Sequence, residues 1–149
     1  MMVLGSDHGG LALKSAIKEL LTDRGVPFVD VGTNSDSSVD YPDYGIKVAR
    51  QVSSGESDAG ILVCGTGIGM SIVANKFPRV RAALVTDAFM ARMAKEHNNA
   101  NILVLGGRVL TEAAAREIVT SWLEAEFEGG RHQGRLDKIA ELEREMCKP

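Results

Sequence analysis

Four short segments of the sequence carry groups suited to proton transfer and anion binding. They lie beside apolar runs and are Ser6–Gly10 (SDHGG), Cys64–Gly69 (CGTGIG), His97–Asn99 (HNN) and Gly106–Arg108 (GGR). The first offers a carboxylate and an imidazole, and the second a thiol followed by glycine-rich backbone. The third offers another imidazole, and the fourth a guanidinium. Together these groups can move protons on a small substrate and hold its negative charge.

The glycine-rich loop is the most informative of the four. Gly65, Gly67 and Gly69 leave backbone N–H groups unobstructed at the start of a predicted helix, which is typical of an anion site. Their spacing does not match GxGxxG, and the Lys and Ser/Thr of a P-loop are missing, which disfavours a dinucleotide or a nucleoside triphosphate. A tight strand-to-helix turn that needs glycine for its backbone angles explains the same residues without a ligand.

Cys64 ends an apolar run directly before that loop. Only the thiolate form of a cysteine is a nucleophile or a base. A buried cysteine is more often a small core residue. From this residue alone, the roles of nucleophile, base and core filler all remain open.

The other candidates also have ordinary structural explanations. Asp7 is suited to the N-cap of a helix, and His97 lies near a predicted helix C-terminus, where a histidine complements the helix dipole. Arg108, Arg131 and Arg135 are of a type that is usually solvated. Because Arg131 and Arg135 are four residues apart, on a helix they would share a face and could grip one phosphate together.

Several classes of chemistry lack their sequence motifs. The three histidines, two cysteines and scattered carboxylates form no HExxH, no CxxC and no paired acidic cluster, so we expect no metal. There is no GxSxG motif for a hydrolase. We expect no cofactor.

Composition limits the binding partners and the cellular location that we expect. The chain has 149 residues and a net charge of −3, from 17 basic and 20 acidic side chains, which argues against nucleic-acid binding. No window approaches the roughly 20 apolar residues of a membrane span, and the first residues carry no signal-peptide pattern. The two cysteines form no disulfide framework, which favours a reducing cytoplasm.

Short apolar runs alternate with amphipathic stretches along the chain. This alternation predicts an α/β fold, a doubly wound three-layer α/β/α sandwich with a five-stranded parallel sheet. Asp40 and Thr111 are candidate N-caps. The predicted strands are Met1–Gly5, Phe28–Val31, Gly60–Cys64, Ala82–Thr86 and Ile102–Leu105. The predicted helices are Leu11–Arg24, Tyr41–Val52, Met70–Lys76, Ala88–His97 and Thr111–Phe127.

We expect residues 1–149 to form one domain that ends in an extra helix. Residues 129–149 are predicted as a glycine-punctuated basic connector, GGRHQGR, followed by a helix with one narrow apolar stripe. This helix packs either on its own domain, as the pattern alone slightly favours, or on a partner subunit. Ligands of such sheets sit beyond the carboxyl ends of the strands. His97 precedes the last strand, so it reaches that edge only if a loop turns back or a second subunit supplies it.

Six segments in register resemble one known family, the ribose-5-phosphate isomerase B family, which includes the galactose-6-phosphate isomerase subunits. The resemblance spans nearly the whole chain and has no large insertion. The segments, in order, are GSDHGG, DYPDY, ILVCGTGIGMSIVANK, KEHNNAN, LVLGGR and EGGRHQGR.

The resemblance implies a metal-independent aldose–ketose isomerase that interconverts ribose 5-phosphate and ribulose 5-phosphate. Cys64 would be the base that moves a proton between C2 and C1 through an enediolate. Thr66 would hydrogen-bond the substrate, and His97, assisted by Asp7, would open the sugar ring. The backbone N–H groups of the loop would stabilise the enediolate oxygen; the loop residues are Gly65, Thr66, Gly67, Ile68 and Gly69.

The resemblance also implies how the substrate is held. Tyr41 and Asn98 would hold the sugar. Four side chains would hold the phosphate: His8, Arg108, Arg131 and Arg135. Family members are homodimers or dimers of dimers with sites shared between subunits, which would bring His97 to the site and favours a C-terminal helix packed on a partner.

One branch of the family replaces the cysteine base with a glutamate at the position of Met70, so this sequence resembles the cysteine branch. Two alternatives remain. The substrate is a six-carbon sugar phosphate, allose 6-phosphate or galactose 6-phosphate, or the chain is a non-catalytic flavodoxin-like nucleotide-binding module.

Overall fold

The sheet contains the five predicted strands. A computed structural model of the chain describes residues 1–147, so the last two residues of the expected domain lie outside the described part. All strand pairs are parallel, in the order β2-β1-β3-β5-β4. The strands are β1 (Met2–Ser6), β2 (Phe28–Asp30), β3 (Ala59–Cys64), β4 (Ala82–Leu84) and β5 (Ile102–Gly106).

Six α-helices alternate with or follow these strands, and the predicted doubly wound α/β sandwich is confirmed. A 3₁₀ turn at His8–Gly10 leads into the first helix. Within residues 1–147, none of the helices combines the length and apolarity needed to cross a membrane. The helices are α1 (Leu11–Asp23), α2 (Tyr41–Ser54), α3 (Ile68–Ala74), α4 (Ala88–Glu96), α5 (Glu112–Glu124) and α6 (Arg131–Met146).

The central strand β3 divides the core into two halves. Successive side chains of a strand point to opposite faces of the sheet. Ile61 and Val63 pack with apolar residues of α1, α4 and α5, whereas Leu62 and Cys64 pack with those of α2 and α3. The period-2 alternation therefore directs the Cys64 side chain toward the α2/α3 layer.

The ends of the elements differ in detail from the predictions. Thr111 caps α5 as predicted, because its Oγ1 accepts a hydrogen bond from the N–H of Ala114 at 3.1 Å. Asp40 occupies the N-cap position of α2 as predicted, but its side chain makes no capping hydrogen bond there. α3 begins at Ile68 rather than at Met70, because Gly67 turns the chain with a left-handed φ of 82°.

The C-terminal helix begins earlier than the predicted connector allows. The sequence RHQGR belongs to α6, and only Gly129 and Gly130 remain as a turn, with φ values of 68° and 57°. The predicted connector was therefore too long. His132 is the buried residue of α6. The predicted apolar stripe of α6 is largely exposed, most clearly at Ile139, Leu142 and Met146.

A buried ion pair anchors the turn that follows β2. Lys14 on α1 is 1% exposed, and its Nζ donates to Asp30 Oδ1 at 2.8 Å, to the carbonyl of Thr33 and to Asn34 Oδ1 at 3.2 Å. Burial acts to raise the pKa of Asp30. The hydrogen bonds from Lys14, Lys18 and the N–H of Gly32 outweigh it, so the pKa of Asp30 lies below its ordinary value of 3.8.

We predict that Asp30→Asn lowers the free energy of unfolding by about 3 kcal/mol at pH 7, because Lys14 would keep a buried charge without its partner. A carboxyl whose pKa is depressed in the folded state stabilises that state above its unfolded pKa. The contribution is lost as the pH falls through 3.8 toward the folded value. Urea unfolding at pH 7 and below pH 4 checks both expectations.

The matched control is Asp36→Asn, on an exposed part of the following loop. Its unfolding free energy is expected to stay within about 0.5 kcal/mol of the parent protein. Equal stabilities of Asp30→Asn and the parent protein at pH 7 would contradict the role given to this ion pair.

Candidate active site

The carboxyl ends of β1 and β3 meet at the centre of the sheet, where the strand order reverses. Such a switch point is the usual ligand position in an open α/β sheet. Cys64, the last residue of β3, is 5% exposed, and its Sγ accepts a hydrogen bond from the N–H of Gly67 at 3.2 Å. Thr66 is exposed beside it, with its Oγ1 accepting from the N–H of Ile68 at 3.3 Å. The loop therefore orients the thiol with its own backbone.

Neighbouring turns pack tightly against this loop because they lack side chains. A Cβ on Gly106 would lie 2.7 Å from the carbonyl oxygen of Thr66, and one on Gly107 would lie 2.3 Å from the carbonyl oxygen of Gly9. A Cβ on Gly10 would lie 2.5 Å from the carbonyl oxygen of Val63. The turns after β1, β3 and β5 thus interlock, and glycine is required for that approach.

Asp7 and His8 contribute polar groups from the end of β1. Asp7 is buried, and its Oδ1 accepts from the N–H of Gly10 at 3.1 Å, so it does cap a turn, here the 3₁₀ turn before α1. Nδ1 of His8 accepts from the N–H of Val39 at 3.2 Å. In a neutral imidazole with Nδ1 as acceptor, Nε2 carries the proton and is the donor.

Arg108 and Tyr41 flank the loop on either side. A Cβ on Gly65 would lie 3.3 Å from Nη1 of Arg108, and one on Gly69 would lie 2.4 Å from the ring of Tyr41. The guanidinium therefore passes over Gly65, and the phenol ring rests on Gly69. Ten of the fourteen predicted site residues lie at this edge: Asp7, His8, Tyr41, Cys64, the five loop residues 65–69 and Arg108.

The remaining predicted residues lie elsewhere in the chain. His97 follows the end of α4, and Asn98 lines a cavity with Ala82 and Leu136, beside the start of β4. Arg131 and Arg135 are exposed on the first turns of α6. Four residue steps along β5 separate the two edges, which corresponds to about 13 Å. The structure does not bring these four residues to Cys64 within one chain.

His97 belongs to a compact group of its own. Its ring stacks on that of His132, with centroids 4.1 Å apart and planes inclined by 13°. Glu128 Oε2 lies 3.9 Å from Nε2 of His97 and 3.4 Å from Nε2 of His132. Two imidazoles that bind one metal ion in their planes need those planes to converge, so these stacked rings would have to turn to share an ion.

Two structurally important residues were missed by the sequence analysis. Lys14 lies on the buried face of α1, three residues before Ile17 and seven before Leu21, so a charge on an apolar stripe was the available signal. His132 precedes Leu136 and Ile139 by four and seven residues and extends the α6 stripe by one turn. Helical periodicity places each of them on the apolar face of its helix but does not identify its partners.

Comparisons with known proteins match nearly the whole chain to one family. The family model described as Ribose/Galactose Isomerase matches residues 2–139. Ribose-5-phosphate isomerase B of Escherichia coli is 45% identical over 142 residues, which are 95% of each chain.

Two solved structures are also similar over almost the full length. The ribose-5-phosphate isomerase B of Clostridium thermocellum is 54% identical with a TM-score of 0.95, over 97% of this chain and 98% of that one. That of Mycoplasma genitalium, with bound ribulose 5-phosphate, is 45% identical with a TM-score of 0.93, over 97% of this chain and 96% of that one. By sequence and by fold, this chain belongs to the ribose/galactose isomerase family.

Proposed function

We propose that this protein is an aldose–ketose isomerase that interconverts ribose 5-phosphate and ribulose 5-phosphate. The observation that carries the proposal is Cys64, a buried thiol at the carboxyl end of the central strand, held by the N–H of Gly67. The Mycoplasma genitalium relative with ribulose 5-phosphate bound supports the choice of substrate. Seventeen basic side chains against 20 acidic ones suit a small phosphate held locally rather than a polyanion.

Cys64 acts as the base of the isomerisation. It removes the proton from C2 of the open-chain aldose and returns it to C1, while a proton passes from the hydroxyl oxygen at C2 to the oxygen at C1. The enediolate between the two states carries negative charge on oxygen. Backbone N–H groups of the loop 65–69 and the hydroxyl of Thr66 stabilise that charge; one such donor is worth about 3–4 kcal/mol in the transition state. Neither a metal nor an organic cofactor is needed for this proton transfer.

His97 opens the sugar ring before that step. The C1–O4 bond breaks as the anomeric hydroxyl loses a proton and O4 gains one, which leaves the aldehyde and a free 4-hydroxyl. An imidazole can take the first proton and supply the second. Asp7 assists His97 in this transfer, although within one chain it lies at the Cys64 edge.

The phosphate and sugar are held by side chains from both edges. His8 offers Nε2–H as a donor, since its Nδ1 accepts from Val39, and guanidinium groups suit bidentate contact with phosphate oxygens. The phosphate-binding residues are His8, Arg108, Arg131 and Arg135, and the sugar-binding residues are Tyr41 and Asn98.

A complete site therefore uses two copies of the chain, in a dimer or a dimer of dimers. Cys64 comes from one copy, and His97 with the first turns of α6 comes from the other. Exposed apolar side chains lie near both halves of the site. They are Ile68 and Ile72 at the Cys64 loop and on α3, and Ile139 and Leu142 on α6, each more than half exposed. Apolar surface of this kind supports an interface that a second copy covers.

We also propose a reducing cytoplasmic location, because this mechanism needs a reduced cysteine. The base has to remain a free thiol, and both Cys64 and Cys147 are free, the latter exposed near the end of α6. Exposed thiols persist where glutathione and thioredoxin keep them reduced.

A coupled assay of ribose 5-phosphate, allose 6-phosphate and galactose 6-phosphate tests the function. We expect the highest kcat/KM with ribose 5-phosphate and an undiminished rate in the presence of a chelator. A higher kcat/KM with either six-carbon sugar phosphate would change the proposed substrate but not the proposed class of reaction. Absence of turnover together with bound nucleotide or flavin would favour a non-catalytic module.

We predict that Cys64→Ala and Cys64→Ser each lower kcat for ribose 5-phosphate by at least about 10²-fold, because removal of a catalytic proton-transfer group costs about 10²–10⁴-fold. Phosphate binding and thermal stability should change little, since a small side chain replaces a small one. The matched control is Cys147→Ser, on the exposed end of α6. Near-normal turnover by the Cys64 variants would remove this thiol from the mechanism.

We predict that His97→Asn is much more damaging with cyclic than with open-chain substrate. Ribulose 5-phosphate is open-chain, because its O5 carries the phosphate and cannot close a furanose ring. Initial rates from ribose 5-phosphate should fall about 10²-fold or more, whereas exchange of the C1 proton of ribulose 5-phosphate with solvent should be largely kept. Equal losses in both measurements would contradict the ring-opening role.

A further inference from the structure

A buried histidine that the proposed mechanism does not use packs directly against His97. The two rings are stacked with their centroids 4.1 Å apart. His132 is 5% exposed, whereas 36% of the His97 side chain stays accessible. One face of the His97 imidazole is thus covered by the buried ring of His132. A substrate can reach only the part of the imidazole that stays exposed.

Glu128 faces the edges of both rings. Its Oε2 lies 3.4 Å from Nε2 of His132 and 3.9 Å from Nε2 of His97. Nε2 of His132 is buried and has no hydrogen-bond partner within residues 1–147. Contacts of this length often shorten when a substrate completes the site. The carboxylate of Glu128 is therefore placed to restrict the rotation of both imidazole rings.

The backbone fixes both groups relative to α4. The N–H of Glu128 donates to the carbonyl of Glu96 at 3.0 Å, one residue before His97. Gly129 and Gly130 then reverse the chain with positive φ values, and the N–H of His132 donates back to the carbonyl of Gly129 at 3.1 Å. Other residues rarely adopt such φ values. The turn thus delivers His132 beneath the imidazole of His97.

We propose that His132 and Glu128 are positioning residues for His97, with His132 fixing the plane of its imidazole and Glu128 its edge. The inference rests on the proposed function, in which His97 opens the ring of ribose 5-phosphate. Ring opening needs one imidazole nitrogen in line with the anomeric hydroxyl and then with O4, so its rate depends on ring orientation. Proton transfer at Cys64 uses neither residue.

The test separates these two steps in purified full-length variants. His132→Ala removes the stacked ring, His132→Phe keeps a planar face without nitrogens, and Glu128→Gln removes only the charge. Gln133→Ala is the matched control, an exposed neighbour on the same helical turn whose side-chain amide donates to Asp137 rather than to either histidine. For each variant we measure initial rates from ribose 5-phosphate and, by NMR in D₂O, exchange of the C1 proton of ribulose 5-phosphate.

We expect His132→Ala to lower kcat from ribose 5-phosphate by about tenfold or more, since small misplacements of a catalytic group cost up to 10²-fold. C1 exchange and the KM for ribulose 5-phosphate should stay within about twofold, because those steps do not use His97. His132→Phe should recover most of the lost rate. Glu128→Gln should lose about two- to fivefold, and again only in the ring-opening direction.

Equal losses in both measurements, or His132→Phe no better than His132→Ala, would overturn the proposal. If circular dichroism shows that the His132 variants do not fold, Glu128→Gln decides alone, because its side chain is half-exposed. A Glu128→Gln protein with unchanged rates would then contradict the inference. The parent protein distinguishes this failure from failure of the proposed function, which would appear as absent C1 exchange and absent isomerisation.

Discussion

All five strands of the sheet run in the same direction, so residues that follow strands meet at one edge and residues that precede them meet at the other. Cys64 is the last residue of β3, and His97 lies before the start of β5. The length of a strand, about 13 Å, stands between the two edges. The division of the proposed chemistry between two copies of the chain follows from this single constraint.

Tight packing of glycine turns gives the Cys64 edge its rigidity. Gly10, Gly106 and Gly107 allow backbone approaches so close that a Cβ at any of them would clash with a backbone oxygen. The loop in turn directs the N–H of Gly67 at the sulfur. The His97 edge is organised differently, by a stacked imidazole and a carboxylate. The position of His97 there depends on Glu128, which precedes α6, and on His132 of α6, a helix that otherwise buries little of its own surface.

Much of this arrangement was predictable because it depends on local periodicity. The strand GILVC and its following glycines placed Cys64 correctly, and Thr111 was identified as a cap from its type and position. Asp40 was not a side-chain cap, because the choice between capping and solvent is decided by rotamers that the sequence does not specify. The start of α6 at Arg131 was missed because Gly134 resembles part of a loop, although one glycine is tolerated in a helix. Lys14 and His132 were missed because their partners are distant in sequence.

The central claim is that one site combines Cys64 of one copy with His97 of another. Mixing inactive Cys64→Ala and His97→Asn chains, by co-refolding or co-expression with two different tags, tests it directly. In a twofold dimer half of the randomly paired molecules are mixed, and each restores one of its two sites, so activity from ribose 5-phosphate should return to about a quarter of the parent value. A parallel mixture of Cys64→Ala with Cys64→Ser should stay inactive. No recovery in purified mixed dimers would contradict a site shared between copies.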